Sequence, residues 1–189
     1  MSSHHIVREK QEPALLILDN DNFPAEQLGQ LLEWSPTVFT SLSAAEKLNS
    51  MGIKIDFILQ QGSAAYLQSD IKVIPVESDN LIEICLKYLI VNGYSAVNII
   101  TESFQLKDIE YYADKINIVI FEEHKKIFAI SPKFSRWKTK GETIEFLTEA
   151  KHLHVDGLEK VSSKKYITVQ DGFYSVLFEG TFLFIAEEI

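Results

Sequence analysis

The side chains in this chain that could do chemistry fall in a few short stretches. Asp19 and Asp21 follow the apolar run Ala14-Leu15-Leu16-Ile17-Leu18. Carboxylates at the end of a first strand can hold a metal. In Asp19-Asn20-Asp21-Asn22 they are also ordinary turn formers, which is the preferred reading. His152 and His154 stand two apart, so on a strand both rings would face one way and could bind a metal. With no Cys or further His beside them, they are read as exposed or hydrogen-bonded histidines. Lys133-Phe134-Ser135-Arg136-Trp137-Lys138-Thr139-Lys140 interleaves cations with aromatics, a pattern that single-stranded nucleic acid would suit. The acidic net charge and the lack of a second basic cluster favour a solvated linker or a dimer edge instead. Asp79 precedes a long apolar segment and is read as a helix cap rather than a metal ligand.

Two turns sit where an α/β sheet would carry its chemistry, after consecutive strands. They read Ser41-Leu42-Ser43 and Gln60-Gln61-Gly62-Ser63. Neither contains a carboxylate, a His or a Lys. No catalytic residue and no metal ligand is assigned from these turns.

The elements that position them alternate. Ala14 to Leu18 is a continuous apolar run typical of a strand covered on both faces. Pro24 suits a helix start, and Leu28, Leu31 and Leu32 continue it toward Trp34 until Ser35-Pro36. Val38 to Thr40 is a second strand, Ala44 to Met51 a helix ended by Gly52, and Ile55 to Leu59 a third strand. Ile71 to Val76 is a fourth. The helix after Asp79 is apolar on most of its surface (Leu81, Ile82, Ile84, Cys85, Leu86, Leu89, Ile90) and closes at Asn92-Gly93. Ala96 to Ile100 is a fifth strand, Gln105 to Ala113 a short helix and Ile116 to Phe121 a sixth strand.

After Glu122-Glu123-His124-Lys125 the helical spacing fades. Short β-like runs follow at Ile127–Ile130, Thr143–Thr148, Tyr166–Val169, Tyr174–Phe178 and Phe182–Ala186. Asp171-Gly172 and Glu179-Gly180 read as turns between the last three. Tyr166, Phe173, Tyr174, Phe178, Phe182 and Phe184 are read as sandwich core plus dimer interface, with an aromatic wall for a flat heterocycle as the other reading. The expected fold is α/β: a mainly parallel α/β sheet domain, 1–124, followed by a smaller all-β, sandwich-like domain, 125–189.

Composition excludes several classes. Apolar residues make up 46% of the 189, enough for a core, and the net charge is −9. That charge argues against nucleic acid and anionic membranes as general partners. No apolar run reaches the roughly 20 residues that span a bilayer. Met1-Ser2-Ser3-His4-His5 lacks the apolar core of a secretory signal. Cys85 is the only cysteine. A cytoplasmic protein is the expectation.

The scaffold stretches resemble a known family. They are Met1 to Arg8, Gln11-Glu12-Pro13-Ala14-Leu15, Leu31-Leu32-Glu33-Trp34-Ser35-Pro36-Thr37-Val38 and Gly52-Ile53-Lys54-Ile55-Asp56. Further along come Ala96 to Ile100, Asp114-Lys115-Ile116, Lys125-Lys126-Ile127-Phe128, and Pro132-Lys133-Phe134 through Trp137. Together they are similar to thiamin pyrophosphokinase (thiamine diphosphokinase) in its Bacteroidetes-type form. The resemblance implies an α/β domain joined to a β-sandwich, a homodimer, and transfer of pyrophosphate from ATP to thiamin with Mg²⁺.

The motifs that would carry this chemistry are altered. Where the family has Asp-Gly after its second strand, Leu42-Ser43 stand here. Where it has Gly-Asp-x-Asp, Gln60-Gln61-Gly62-Ser63 stand. Where it has Asp-Gln and then Thr-Asp at the start of the long helix, Val76-Glu77 and Asn80-Leu81 stand. The segment from Thr101 to Ala113 is too short for the family's Gly-Arg-Arg-x-Asp-His-like run, and Ser162-Ser163 is followed by Lys164-Lys165 where a Ser-Asn signature is expected. The degenerate positions are thus Leu42, Ser43, Gln60, Gln61, Ser63, Val76, Asn80 and Leu81. Glutamine hydrogen-bonds but brings no charge to a hard cation, and leucine brings no acceptor. The resulting expectation is a family fold without cofactor, a pseudoenzyme acting through a small-molecule ligand or through association, as a homodimer or beside an active paralogue. The alternative is a divergent enzyme making thiamine diphosphate and AMP from thiamine and ATP with other residues.

Overall fold

The computed structural model describes residues 12–61, 70–76 and 80–189. Ser63, Glu77, Asp79 and the stretch Met1 to Gln11 lie outside the described residues. Backbone packing divides the chain into two units, Met1–Ile118 and Val119–Ile189.

The first unit alternates strands and helices: β1 (Ala14–Ile17), α1 (Ala25–Leu32), β2 (Val38–Ser41), α2 (Leu42–Ser50), β3 (Phe57–Gln60), β4 (Lys72–Pro75), α3 (Leu81–Val91), β5 (Ala96–Ile100) and α4 (Lys107–Glu110). The strands are parallel in the order β5-β1-β2-β3-β4. Every residue of β1 and β2 is buried, so both faces of the sheet's centre are covered. That is why these strands read as unbroken apolar runs. On α3, Ile82, Cys85, Leu86 and Leu89 are buried, the spacing of one helical stripe. Burial pushes the Cys85 thiol far above its ordinary range. Gly52 and Gly93, both at φ 76°, follow α2 and α3 in the left-handed conformation that ends helices.

Several boundaries differ from the sequence expectation. Leu42-Ser43 is not a turn: α2 starts at Leu42, because Ser41 Oγ accepts from Ala44 N at 3.2 Å and caps the helix earlier. α3 is capped by Asn80, whose Oδ1 accepts from Glu83 N at 3.0 Å; Asp79, the expected cap, lies outside the described residues. The helix expected over Gln105 to Ala113 is a single turn, α4. Trp34 lies outside the core stripe of α1, of which only Leu28 is buried.

The second unit is made of strands. β6 (Asn117–Glu122) enters it and turns back at Glu123 and His124 into β7 (Lys125–Ile130). β8 (Phe134–Lys138), β9 (Thr143–Phe146), β10 (Lys151–Asp156), β11 (Leu158–Lys160), β12 (Lys165–Thr168), β13 (Gly172–Glu179) and β14 (Leu183–Glu188) follow. One antiparallel set runs β11-β12-β9-β14-β7-β6 and another β10-β13-β8. Phe128, Ile130, Leu183 and Ile185 from the first set share one apolar core with Tyr174, Val176 and Phe178 from the second. The two sets therefore face each other as a sandwich.

Lys133 to Lys140 is not a linker. It forms β8, paired with β13 from Phe134↔Val176 to Lys138↔Gly172. Alternation on that strand turns Arg136 and Lys138 inward and Trp137 outward, so the cations and the indole do not share a face. Gly172, read as a turn residue, opens β13. His152 and His154 do not form a regular pair, because the register of β10 on β13 shifts between Lys151 and His154 and His152 has φ 53°. Tyr166, Tyr174, Phe178 and Phe184 are core residues, whereas Phe173 is exposed. Among the described residues no helix is long and apolar enough to cross a membrane.

Candidate functional site

In the first unit the chain runs from β1 outward through β2, β3 and β4, then returns to β5 on the other side of β1. The connections leave β1 and β5 in opposite directions, which opens a crevice beyond their carboxyl ends. A cavity of about 510 Å³ lies there. Its polar lining comes from four places: Asp19 after β1, Ser41 and Ser43 at the start of α2, Asn80 at the cap of α3, and the segment from Thr101 to Asp108 after β5.

Each side chain is held by local bonding. Asp19 Oδ2 accepts from Thr101 Oγ1 at 3.4 Å and from Glu102 N at 3.3 Å, tying the ends of β1 and β5 together. Ser41 Oγ and Ser43 Oγ are 2.9 Å apart. Asn80 donates from Nδ2 to Asp108 Oδ1 at 2.9 Å while its Oδ1 caps α3. Asp108 Oδ2 accepts from Gln105 N at 3.2 Å, the back-reaching arm of a capping box. Asn80 and Asp108, with Lys107, also border a neighbouring groove lined by Glu83, Lys87, Tyr111 and Tyr112. There Glu83 is held below the usual carboxylate range, first by its hydrogen bond from Lys87 and then by that from Tyr112. Burial raises the Tyr112 phenol.

Of the positions that the sequence resemblance marks as altered, the cavity gathers, among the described residues, Ser43, Asn80 and Leu81. Leu42 is 48% exposed on α2 and does not line it. Gln60 ends β3, Gln61 follows it on the surface, and Val76 is buried after β4 with its N–H on Gln60 O at 3.0 Å. None of these lines the cavity. Asp19 and Asp21 part company: Asp21 pairs with Lys47 on α2, while Asp19 faces the crevice. Sequence reading missed Thr101, Lys107 and Asp108. The signal for Asp108 was present in Gln105-x-x-Asp108, an acid three residues after the start of a helical turn.

No family profile and no curated protein matches the chain. Solved structures do. The thiamin pyrophosphokinase of Geobacillus thermodenitrificans superposes with a TM-score of 0.70 at 12% identity, over 93% of this chain and 97% of that one. The chain has the thiamin pyrophosphokinase fold. The Bacillus subtilis thiamine pyrophosphokinase gives 0.67 at 11% identity over 93% and 99% of the two chains. The Candida albicans thiamin pyrophosphokinase gives 0.64 at 11% identity over 94% and 90%.

The family resemblance read from the sequence carries the expectation of a Mg²⁺ and ATP site. Mg²⁺ takes near-octahedral oxygen ligands, with carboxylates and phosphates among them. Among the described residues the carboxylates in this crevice are Asp19 and Asp108, and both already accept local donors. Drawing Asp108 to a metal would break its bonds to Asn80 and Gln105. Among the described residues no three His, Cys, Asp or Glu side chains converge. The donor set fits hydroxyl and amide hydrogen bonding better than a hard cation.

Proposed function

We propose that this chain is a non-catalytic member of the thiamin pyrophosphokinase fold, whose crevice holds a small polar molecule instead of transferring pyrophosphate. One observation carries the reading. Among the described residues, the side chains at family-site positions that reach the crevice are Ser43, Asn80 and Leu81, and none of these is charged. Thiamin pyrophosphokinase chemistry needs a metal platform and cations or amides aligned on the phosphates. Hydroxyls, a carboxamide and a leucine supply hydrogen bonds and shape only. Incubation with ATP, thiamin and Mg²⁺ should release no AMP above a no-protein blank. EDTA-sensitive release of AMP would overturn the proposal.

A second reading rests on Asp19, the crevice carboxylate whose partners sit on the β5 side of the opening. In a divergent kinase it would be the residue that takes the metal. Should turnover appear, Asp19→Asn would abolish it, whereas Asp21→Asn, at the Lys47 pair, would not.

The proposed assembly is a homodimer, with the second unit providing the contact.

A further inference from the structure

Strand alternation in the second unit leaves one end of the sandwich ionic. On β7, Lys126 shares a face with Phe128 and Ile130; on β14, Glu187 shares a face with Leu183 and Ile185. Glu187 and Lys126 are in register. Across from them, β8 contributes Phe134, Arg136 and Lys138, and β13 contributes Tyr174. The apolar members form the core, so the charged members gather at its end.

The carboxylates there are already matched. Glu187 is 4% exposed and accepts from Tyr174 Oη at 2.9 Å. Its other oxygen meets Arg136 Nη1 at 2.8 Å and Lys138 Nζ at 3.4 Å. Lys138 also meets Glu142 at 2.6 Å. The Arg136 guanidinium lies 4.6 Å from the centre of the Phe128 ring and 5.4 Å from that of Phe134. Lys126 is the cation left over. Among the described residues it makes no ion pair, and the Phe121 ring lies 5.9 Å from its amine. Burial first, and then the Arg136 and Lys138 charges, hold its pKa below the ordinary lysine range, although the cross-strand Glu187 carboxylate offsets part of this.

Lys126, Arg136 and Lys138 share only the Glu187 and Glu142 carboxylates among the described residues, and a half-buried cation beside two others is costly unless a further anion completes it. A guanidinium next to ammonium groups is the usual grip on phosphate oxygens. We propose that this end of the sandwich binds a phosphate-like oxyanion between Lys126 on one sheet and Arg136 and Lys138 on the other. Cations approaching from two sheets suit a tetrahedral group with several oxygens better than a planar carboxylate. The site lies within the second unit and does not rest on the reading of the crevice.

The test is a titration with inorganic phosphate, at ionic strength held constant with sodium chloride, followed by thermal melting and by amide NMR shifts. Melting should rise saturably, and the shifts should cluster at residues 126, 136, 138 and 187. Lys126→Met should weaken binding by about tenfold or more, the scale of one charge-assisted contact. Lys126→Arg should retain it, which separates lost charge from lost fold, and Lys151→Met on the exposed start of β10 should leave it unchanged. Acetate should bind more weakly than phosphate. The proposal fails if phosphate gives no saturable rise beyond chloride, if the shifts lie elsewhere, if Lys126→Met binds as tightly as the parent, or if acetate matches phosphate.

Discussion

Lys126 shows how one side chain can act against the fold that places it. Its amine is turned inward by alternation, beside Arg136 and Lys138, and its folded-state pKa is depressed by burial and by those charges. Below the folded pKa the protein bears the full penalty of a desolvated ammonium. As pH climbs through that value toward the unfolded value of about 10.4, the folded form sheds a proton that the unfolded chain still holds. Stability therefore increases with pH across that window. In phosphate-free buffer, Lys126→Met should melt above the parent near neutral pH, and the two curves should converge by about pH 10. Parallel curves across the alkaline range would show that the amine carries no such penalty. At the crevice, by contrast, Asp19 and Asp108 are residues whose charge is absorbed locally by Thr101, Glu102, Asn80 and Gln105.

Among the elements, α3 depends on one residue for both its start and its place. Asn80 caps the first turn through Oδ1 and reaches Asp108 through Nδ2. Replacing a capping Asn by Ala costs about 1 kcal/mol in typical proteins. Here the Asp108 hydrogen bond is lost as well, so Asn80→Ala should cost about 1–2 kcal/mol in urea unfolding. Asn80→Ser keeps the cap and should lose less. An alanine variant as stable as the parent would mean that the cap adds nothing to α3. The same element scale explains β8. Read as a string, Lys133 to Lys140 mixes charge and aromatic; folded as a strand, it separates them onto two faces.

For the molecule as a whole, the outer face of β8 and β13 is the largest question that assembly can answer. Trp137 is 53% and Phe173 72% exposed, and the two are paired across the strands. Leu177 is exposed further along β13. Solvent-facing aromatics on a small sheet gain from being covered. Light scattering at micromolar concentration should therefore return twice the chain mass, and Trp137→Ser combined with Phe173→Ser should shift it toward one. A monomeric mass for the parent would contradict the proposed homodimer.

The order of strands and helices was legible because covered strands and a striped helix impose periodicities that few other structures satisfy. The strands read at Ala14 to Leu18 and Val38 to Thr40 are there within one residue, the strand at Ala96 to Ile100 coincides, and the apolar helix after residue 80 runs Leu81–Val91. The change to β structure after Glu122 was legible too, because hairpins need turn residues at short intervals. The chemistry of the crevice was less legible. The family resemblance pointed to Ser43, Asn80 and Leu81, which line the cavity, and equally to Leu42, Gln60, Gln61 and Val76, which do not. Asp19 and Asp108 meet the same cavity from positions far apart in the chain, and only the parallel pairing of β1 with β5 brings the Asp19 and Thr101 ends together. Likewise Lys126 and Glu187 carry no signal when read along the chain, and Arg136 and Lys138 read only as part of a mixed string of cations and aromatics. Their convergence is decided by which face of each strand turns inward, and that follows from long-range register, which no short stretch of sequence encodes.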